Sequence, residues 1–210
     1  MSSPAETAVV EQQLRESSDV KLAMCGSCAP VIAAIAERVI QTYLNGGKLL
    51  LCGNGGSAAD AQHIAAEMVG KFKILRAPWP AIALNANTSL ITAIGNDWSF
   101  DDIFARQVNA LGNEGDVLIA ISTSGNSPNV LAAVEAARQK GLTTVGFTGG
   151  AQNRLRGAVD LCVSVPSYDT PRIQEGHITA AHIICDLVEK ALANAKPEHP
   201  ADTEPEPRAS

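Results

Sequence analysis
His63 and Glu67 stand four residues apart in the run SAADAQHIAAEMVGK, so on a helix they share one face, with Asp60 one turn earlier. An imidazole beside a carboxylate can relay a proton near neutral pH or help hold a divalent cation. Alone, such a pair is more often a solvated surface contact. Its meaning depends on what the rest of the chain brings to it. Ala58, Ala59, Ala61, Ala65 and Ala66 surround the pair and leave room for a substrate or a neighbouring helix.

Immediately upstream, residues 48–52 form a short apolar run that suits a buried strand, followed by Gly53-Asn54-Gly55-Gly56 and Ser57. Three glycines permit a tight turn and let backbone N–H groups approach an anion without obstruction. Ser57 is expected as the N-cap of the helix that follows, whose N-terminus adds further donors. The pattern is neither GxGxxG nor a P-loop, since no Lys-Ser or Lys-Thr follows the glycines. A second loop of similar character is Ser122-Thr123-Ser124-Gly125-Asn126-Ser127, which follows the apolar run 116–121. Pro128 suits the first turn of a helix reaching about residue 140, with Ser127 as its N-cap. Two polar loops leaving strands on one sheet edge point to a phosphorylated ligand. Hydroxyls and N–H groups without a P-loop lysine suit a monophosphate better than a triphosphate.

A long helix over residues 171–193 carries Gln174, Glu175, His177 and His182. At 100° per residue, His177 and His182 point about 140° apart, while Gln174 and His182 are about 80° apart. The two histidines therefore do not easily serve one site, and helical geometry alone leaves the choice between them open. Ile173, Ile178, Ile183, Ile184, Leu187 and Val188 give this helix an apolar face.

The elements that must position these groups alternate between strands and helices. Apolar runs at 48–52, 81–84, 116–121, 143–147 and 161–165 read as strands, and 88–95 and 101–111 as short helices. This alternation predicts a doubly wound, three-layer α/β/α fold on a five-stranded parallel sheet. Ligands of such sheets lie beyond the carboxyl ends of the strands. Two helices, 6–24 and 30–45, precede the first strand and are expected to pack on the sheet or on another subunit. The chain has 210 residues, 46% hydrophobic, enough for one domain over 1–194, while the Pro- and acid-rich 195–210 reads as a disordered tail. A net charge of −6 without a basic cluster argues against nucleic acid as a partner, and no apolar run spans a bilayer. Five cysteines, an odd number, suit a reducing, cytoplasmic setting. Cys25 and Cys28 form a CxxC spacing between two helical stretches, with no second pair to complete a zinc site.

Four motifs in order, CGNGGSAADAQHIAAEMVGKF, AIGNDWSFDDIFARQV, GDVLIAISTSGNSPNV and PSYDTPRIQEGHITAAHIICDLVEKAL, resemble the sugar isomerase (SIS) fold family, in particular its phosphoheptose isomerase branch. The resemblance spans about residues 30–193. It implies a homotetramer with sites at subunit boundaries, converting sedoheptulose 7-phosphate to a manno-heptose 7-phosphate on the way to nucleotide-activated heptose. By the same resemblance, Glu67 is the catalytic carboxylate and His182 the catalytic histidine. Zinc ligands correspond to His63, Glu67, Gln174 and His182. Ser57, Ser122, Thr123, Ser124 and Ser127 correspond to phosphate and sugar contacts, and Asn54, Gly55, Gly56, Glu67, Asn96, Asp97 and Gln174 to the substrate pocket. Lys71 stands where some relatives carry arginine, keeping the charge but losing the bidentate fork.

Two other readings compete. A non-catalytic SIS-fold tetramer, resembling the factor that associates with the replication initiator, keeps the fold and much of the Gly and Ser pattern. It lacks the histidine corresponding to His182, so the four-residue set favours the enzyme. A sugar-phosphate-sensing transcriptional regulator needs a DNA-binding domain ahead of the first strand, where only about 47 non-basic residues stand.

Overall fold
The computed structural model describes residues 3–193. The expected tail, 195–210, lies outside the described residues. Five strands form one sheet: β1 (Leu49–Gly53), β2 (Ala81–Ala83), β3 (Val117–Ile121), β4 (Thr143–Gly149) and β5 (Leu161–Val165). All pairings are parallel, in the order β2-β1-β3-β4-β5. The five-stranded parallel α/β/α architecture expected from the sequence is therefore present.

Among the described residues, eight α-helices connect and cover the strands: α1 (Pro4–Ser27), α2 (Ala29–Leu44), α3 (Gly56–Val69), α4 (Thr88–Asp97), α5 (Ala105–Leu111), α6 (Pro128–Gln139), α7 (Arg154–Ala158) and α8 (Thr170–Leu192). Strand side chains alternate between two cores. Leu49, Leu51, Ile119 and Phe147 face α2, α3 and α8, while Leu50, Cys52, Leu118 and Ala120 face α5 and α6. Both faces of the central strands are thus dry, which is why their sequences read as unbroken apolar runs.

Several local expectations need correction. The two helices expected ahead of the first strand are present, but α1 runs on to Ser27 and the break falls at Cys28, with a 71° bend. Pro30 lies in the first turn of α2, where backbone N–H groups have no acceptor within the helix, so its missing N–H costs no intrahelical bond. The helix expected over 101–111 is broken into a 3-10 turn (Phe100–Asp102) and α5. The short α7 was not anticipated; Asn153 caps it by accepting from the Arg156 N–H at 3.0 Å. Cys25 and Cys28 are separate free thiols, in keeping with a spacing that no second pair completes: Cys28 is buried with its thiol on the Ser164 carbonyl, whereas Cys25 is exposed. No single helix among the described residues is long and apolar enough to cross a membrane.

Candidate active site
β1 and β3 are neighbours, with Gly53 in register with Ile121, so their exit loops leave the sheet side by side. The chain goes on from β1 toward β2 and from β3 toward β4, in opposite directions across the sheet. The loops therefore flank the crevice where strand order reverses, the ligand position of a 2-1-3-4-5 sheet.

The first loop is tight. A Cβ at Gly53 would lie 2.7 Å from the Ser57 carbonyl oxygen, and Gly55 has φ +56°, a conformation that favours glycine. The N-cap lies two residues earlier than expected: Gly55 is the N-cap of α3, and Ser57 is buried in its first turn rather than capping it. At Gly56 a Cβ would collide with Nε2 of Gln174, so this glycine makes space for the α8 side chain. Asn54 faces Asn129, the second residue of α6. Each carboxamide donates to the other, at 2.9 and 3.0 Å. Asn129 is buried, and its pairing with Asn54 ties the two loops together. Sequence reasoning missed it, although a polar residue just after Pro128 at a helix start was a signal.

In the second loop three hydroxyls converge. Ser122 Oγ lies 3.0 Å from Ser127 Oγ and 3.4 Å from Ser124 Oγ. Ser127 has the backbone position of an N-cap, but its hydroxyl turns to Ser122 instead of capping α6. Pro128 has no N–H, and the Val130 N–H donates to Asn129 Oδ1. The hydroxyls, more than the helix donors, are thus the polar content of this loop. Gly125, at φ +65°, leaves no room for a Cβ beside Asn153. Thr123 is half-buried and its carbonyl accepts from the Gly149 N–H.

α3 and α8 pack against each other and bring the titratable groups together. His63 Nε2 lies 3.0 Å from Glu67 Oε1 and 3.4 Å from His182 Nε2, and one ligand atom from each residue falls within 4.8 Å of the others. In its Nδ1–H tautomer each ring presents an Nε2 lone pair, the form a metal ligand needs. Tetrahedral zinc with nitrogen ligands at about 2.0–2.1 Å needs donor atoms roughly 3.3 Å apart, and these separations fit. Phe72 packs on His182, ring centroids 5.5 Å apart. Asp60, one turn before His63, is half-buried with Oδ2 unpartnered; burial raises its carboxyl, while His63 draws it back down.

His177 belongs elsewhere. It is buried, 3.2 Å from the Thr148 carbonyl through Nε2, and packed on Phe147. Burial lowers its pKa to about 4, against the pull of that hydrogen bond, so it stays neutral. The remaining expected residues do not join the cluster. Lys71 is exposed in the loop after α3. Asn96 and Asp97, exposed at the end of α4, bond to each other at 2.8 Å.

The family model for the SIS domain matches residues 14–149. The phosphoheptose isomerase of Roseiflexus sp. (strain RS-1) is 56% identical over 194 residues, covering 91% of this chain and 98% of that protein. Among solved structures, the phosphoheptose isomerase of Neisseria gonorrhoeae superposes with a TM-score of 0.83 at 42% identity. That of Francisella tularensis gives 0.85 at 38%, and each match covers 88% of this chain and 98% of the other.

Proposed function
The chain belongs to the SIS domain family, and from that premise we propose how it works as a phosphoheptose isomerase. It is an aldose–ketose isomerase converting sedoheptulose 7-phosphate to D-glycero-D-manno-heptose 7-phosphate, the opening reaction toward nucleotide-activated heptose. The observation that carries the reading is the convergence of His63, Glu67 and His182 from two packed helices, α3 and α8.

In this reading the phosphate rests on Ser57, Ser122, Thr123, Ser124 and Ser127, with Asn54, Gly55 and Gly56 completing the turn. His63 lies seven residues beyond Gly56, about 10 Å along α3. An extended seven-carbon chain anchored by its phosphate would bring C1 and C2 to His63, Glu67 and His182. Glu67 then takes the proton from one carbon and returns it to its neighbour, through an enediol. His182 moves a proton between the two oxygens, a division of labour suited to a carboxylate and an imidazole. His63, Glu67 and His182 would hold zinc; the Gln174 amide rests against Gly56, where it suits a sugar contact, and it would have to swing along α3 to serve as fourth ligand. Zinc bound there would polarise the carbonyl oxygen.

Assembly completes the proposal. α1 exposes Val9, Val10, Leu14 and Leu22, an apolar surface that suits burial in a homotetramer. Asn96, Asp97 and Lys71 are exposed, and a neighbouring subunit meeting them would complete sites at subunit boundaries. Five free cysteines suit a reducing cytoplasm. The non-catalytic tetramer reading is not favoured, because the three-residue constellation has no use in it. Turnover of sedoheptulose 7-phosphate by the purified protein, with and without chelator, tests the whole reading; no turnover after metal loading would reject it.

A further inference from the structure
Between the two proposed proton carriers and the end of α8 runs a buried polar network that the isomerase chemistry above does not use. Glu189, only 2% exposed, lies on α8 seven residues beyond His182, hence on nearly the same face. Its carboxylate accepts from three consecutive backbone N–H groups: Phe72 at 2.9 Å, Lys73 at 2.7 Å and Ile74 at 3.0 Å. A fourth donor is Arg76 Nε at 3.1 Å. Arg76 in turn caps the end of α3. It donates through Nη2 to the Glu67 carbonyl at 2.8 Å and through Nη1 to the Met68 carbonyl at 2.9 Å. Its guanidinium also lies 3.6 Å from the Trp79 ring centre. Last-turn carbonyls of a helix lack intrahelical partners, so a buried arginine there fixes where the helix ends.

The consequence is geometric. The loop after α3 has no helix or strand of its own over residues 71–80, yet its backbone is held by one carboxylate. That hold sets Phe72 against the His182 ring while the same arginine grips the carbonyl of Glu67. Burial on its own would raise the Glu189 carboxyl; the three N–H donors and Arg76 outweigh it and keep the group ionised.

We infer that Glu189, acting through Arg76 and the backbone of 72–74, is a positioning residue for the isomerisation, keeping Glu67 and His182 in mutual alignment. The inference rests on the proposed roles of those two residues. Glu189→Gln is the sharpest probe, because its amide keeps the shape but presents an NH2 group to donors that need an acceptor.

The test combines steady-state kinetics with amide hydrogen exchange on the assembled enzyme. Glu189→Gln is expected to lower kcat about 10-fold while KM changes less than about 3-fold. Phe72→Leu should lower kcat by a similar factor, and the double variant should be no worse than the worse single, since both act through one contact. In the wild type, the amides of Phe72, Lys73 and Ile74 should exchange slowly despite lying outside regular structure, a readout that survives even if the variant fails to fold. A variant with unchanged kcat and only a lower Tm, multiplicative losses in the double variant, or fast exchange at 72–74 would each overturn the inference. Full activity in His182→Asn would instead remove the reading beneath it.

Discussion

His182 Nε2 and His63 Nε2 face each other at 3.4 Å, although the two residues are 119 positions apart and sit on different helices. With the Glu67 carboxylate 3.0 Å from His63 Nε2, one ligand atom from each of the three residues lies within 4.8 Å of the others. The arrangement suits a divalent cation. Extensive dialysis against chelator should therefore abolish most of the activity, and zinc should restore it. A chelated enzyme that keeps full activity would place the chemistry on the side chains alone.

The hydroxyl loop predicts a difference between two serines. Ser124 is exposed, and Ser124→Ala should weaken binding with little effect on Tm. Ser122 is buried, and its Oγ also accepts from the Gly125 N–H at 3.1 Å, so Ser122→Ala should weaken binding and lower Tm together. Losing one hydrogen bond to a charged phosphate should cost about 1.5–3 kcal/mol. Steady-state KM values beside thermal melts check this; identical behaviour of the two variants would contradict it.

Much of this architecture was legible in the sequence. Leu49 to Cys52 and Val117 to Ile121 face protein on both sides, so their apolar runs announced central strands, and the polar residues after each marked the ligand edge. What was not legible depended on contacts between distant segments. Helical geometry could not choose between His177 and His182; the packing of α8 does, burying the first against Phe147 and turning the second toward His63. Ser57 looked like a cap because serine so often is one, but Gly55 and Gly56 had already turned the chain. The Asn54–Asn129 pair and the Glu189 carboxylate are long-range partnerships with no periodic signature.

His177 makes a statement about acid stability. Its folded pKa of about 4 lies below the ordinary 6.5, so between those values the unfolded chain binds more protons at this residue. Stability should therefore fall as pH drops from about 6.5 toward 4, by up to about 3 kcal/mol from this residue. Denaturant melts of wild type and His177→Gln across that range check the sign. The variant should be less stable at pH 7.5 but show a shallower acid loss, with kcat within a few-fold of wild type.

Assembly gives a further expectation. Val9, Val10, Leu14 and Leu22 expose apolar side chains along α1, and Leu14→Glu with Leu22→Glu should weaken any interface that covers them. Light scattering should show a tetramer for wild type and smaller species for the double variant. A wild-type monomer that is stable and active at micromolar concentration would contradict the proposed boundary sites.

Glu67 and His182 are proposed to carry the proton in a sedoheptulose 7-phosphate isomerisation. The most direct measurement is turnover of that substrate in deuterium oxide by wild type, Glu67→Gln and His182→Asn. Wild type is expected to turn it over with solvent deuterium exchanged at C1 or C2. Each variant should keep its fold and assembly but lose at least about 100-fold in kcat. Undiminished turnover in Glu67→Gln, or in His182→Asn, would contradict it.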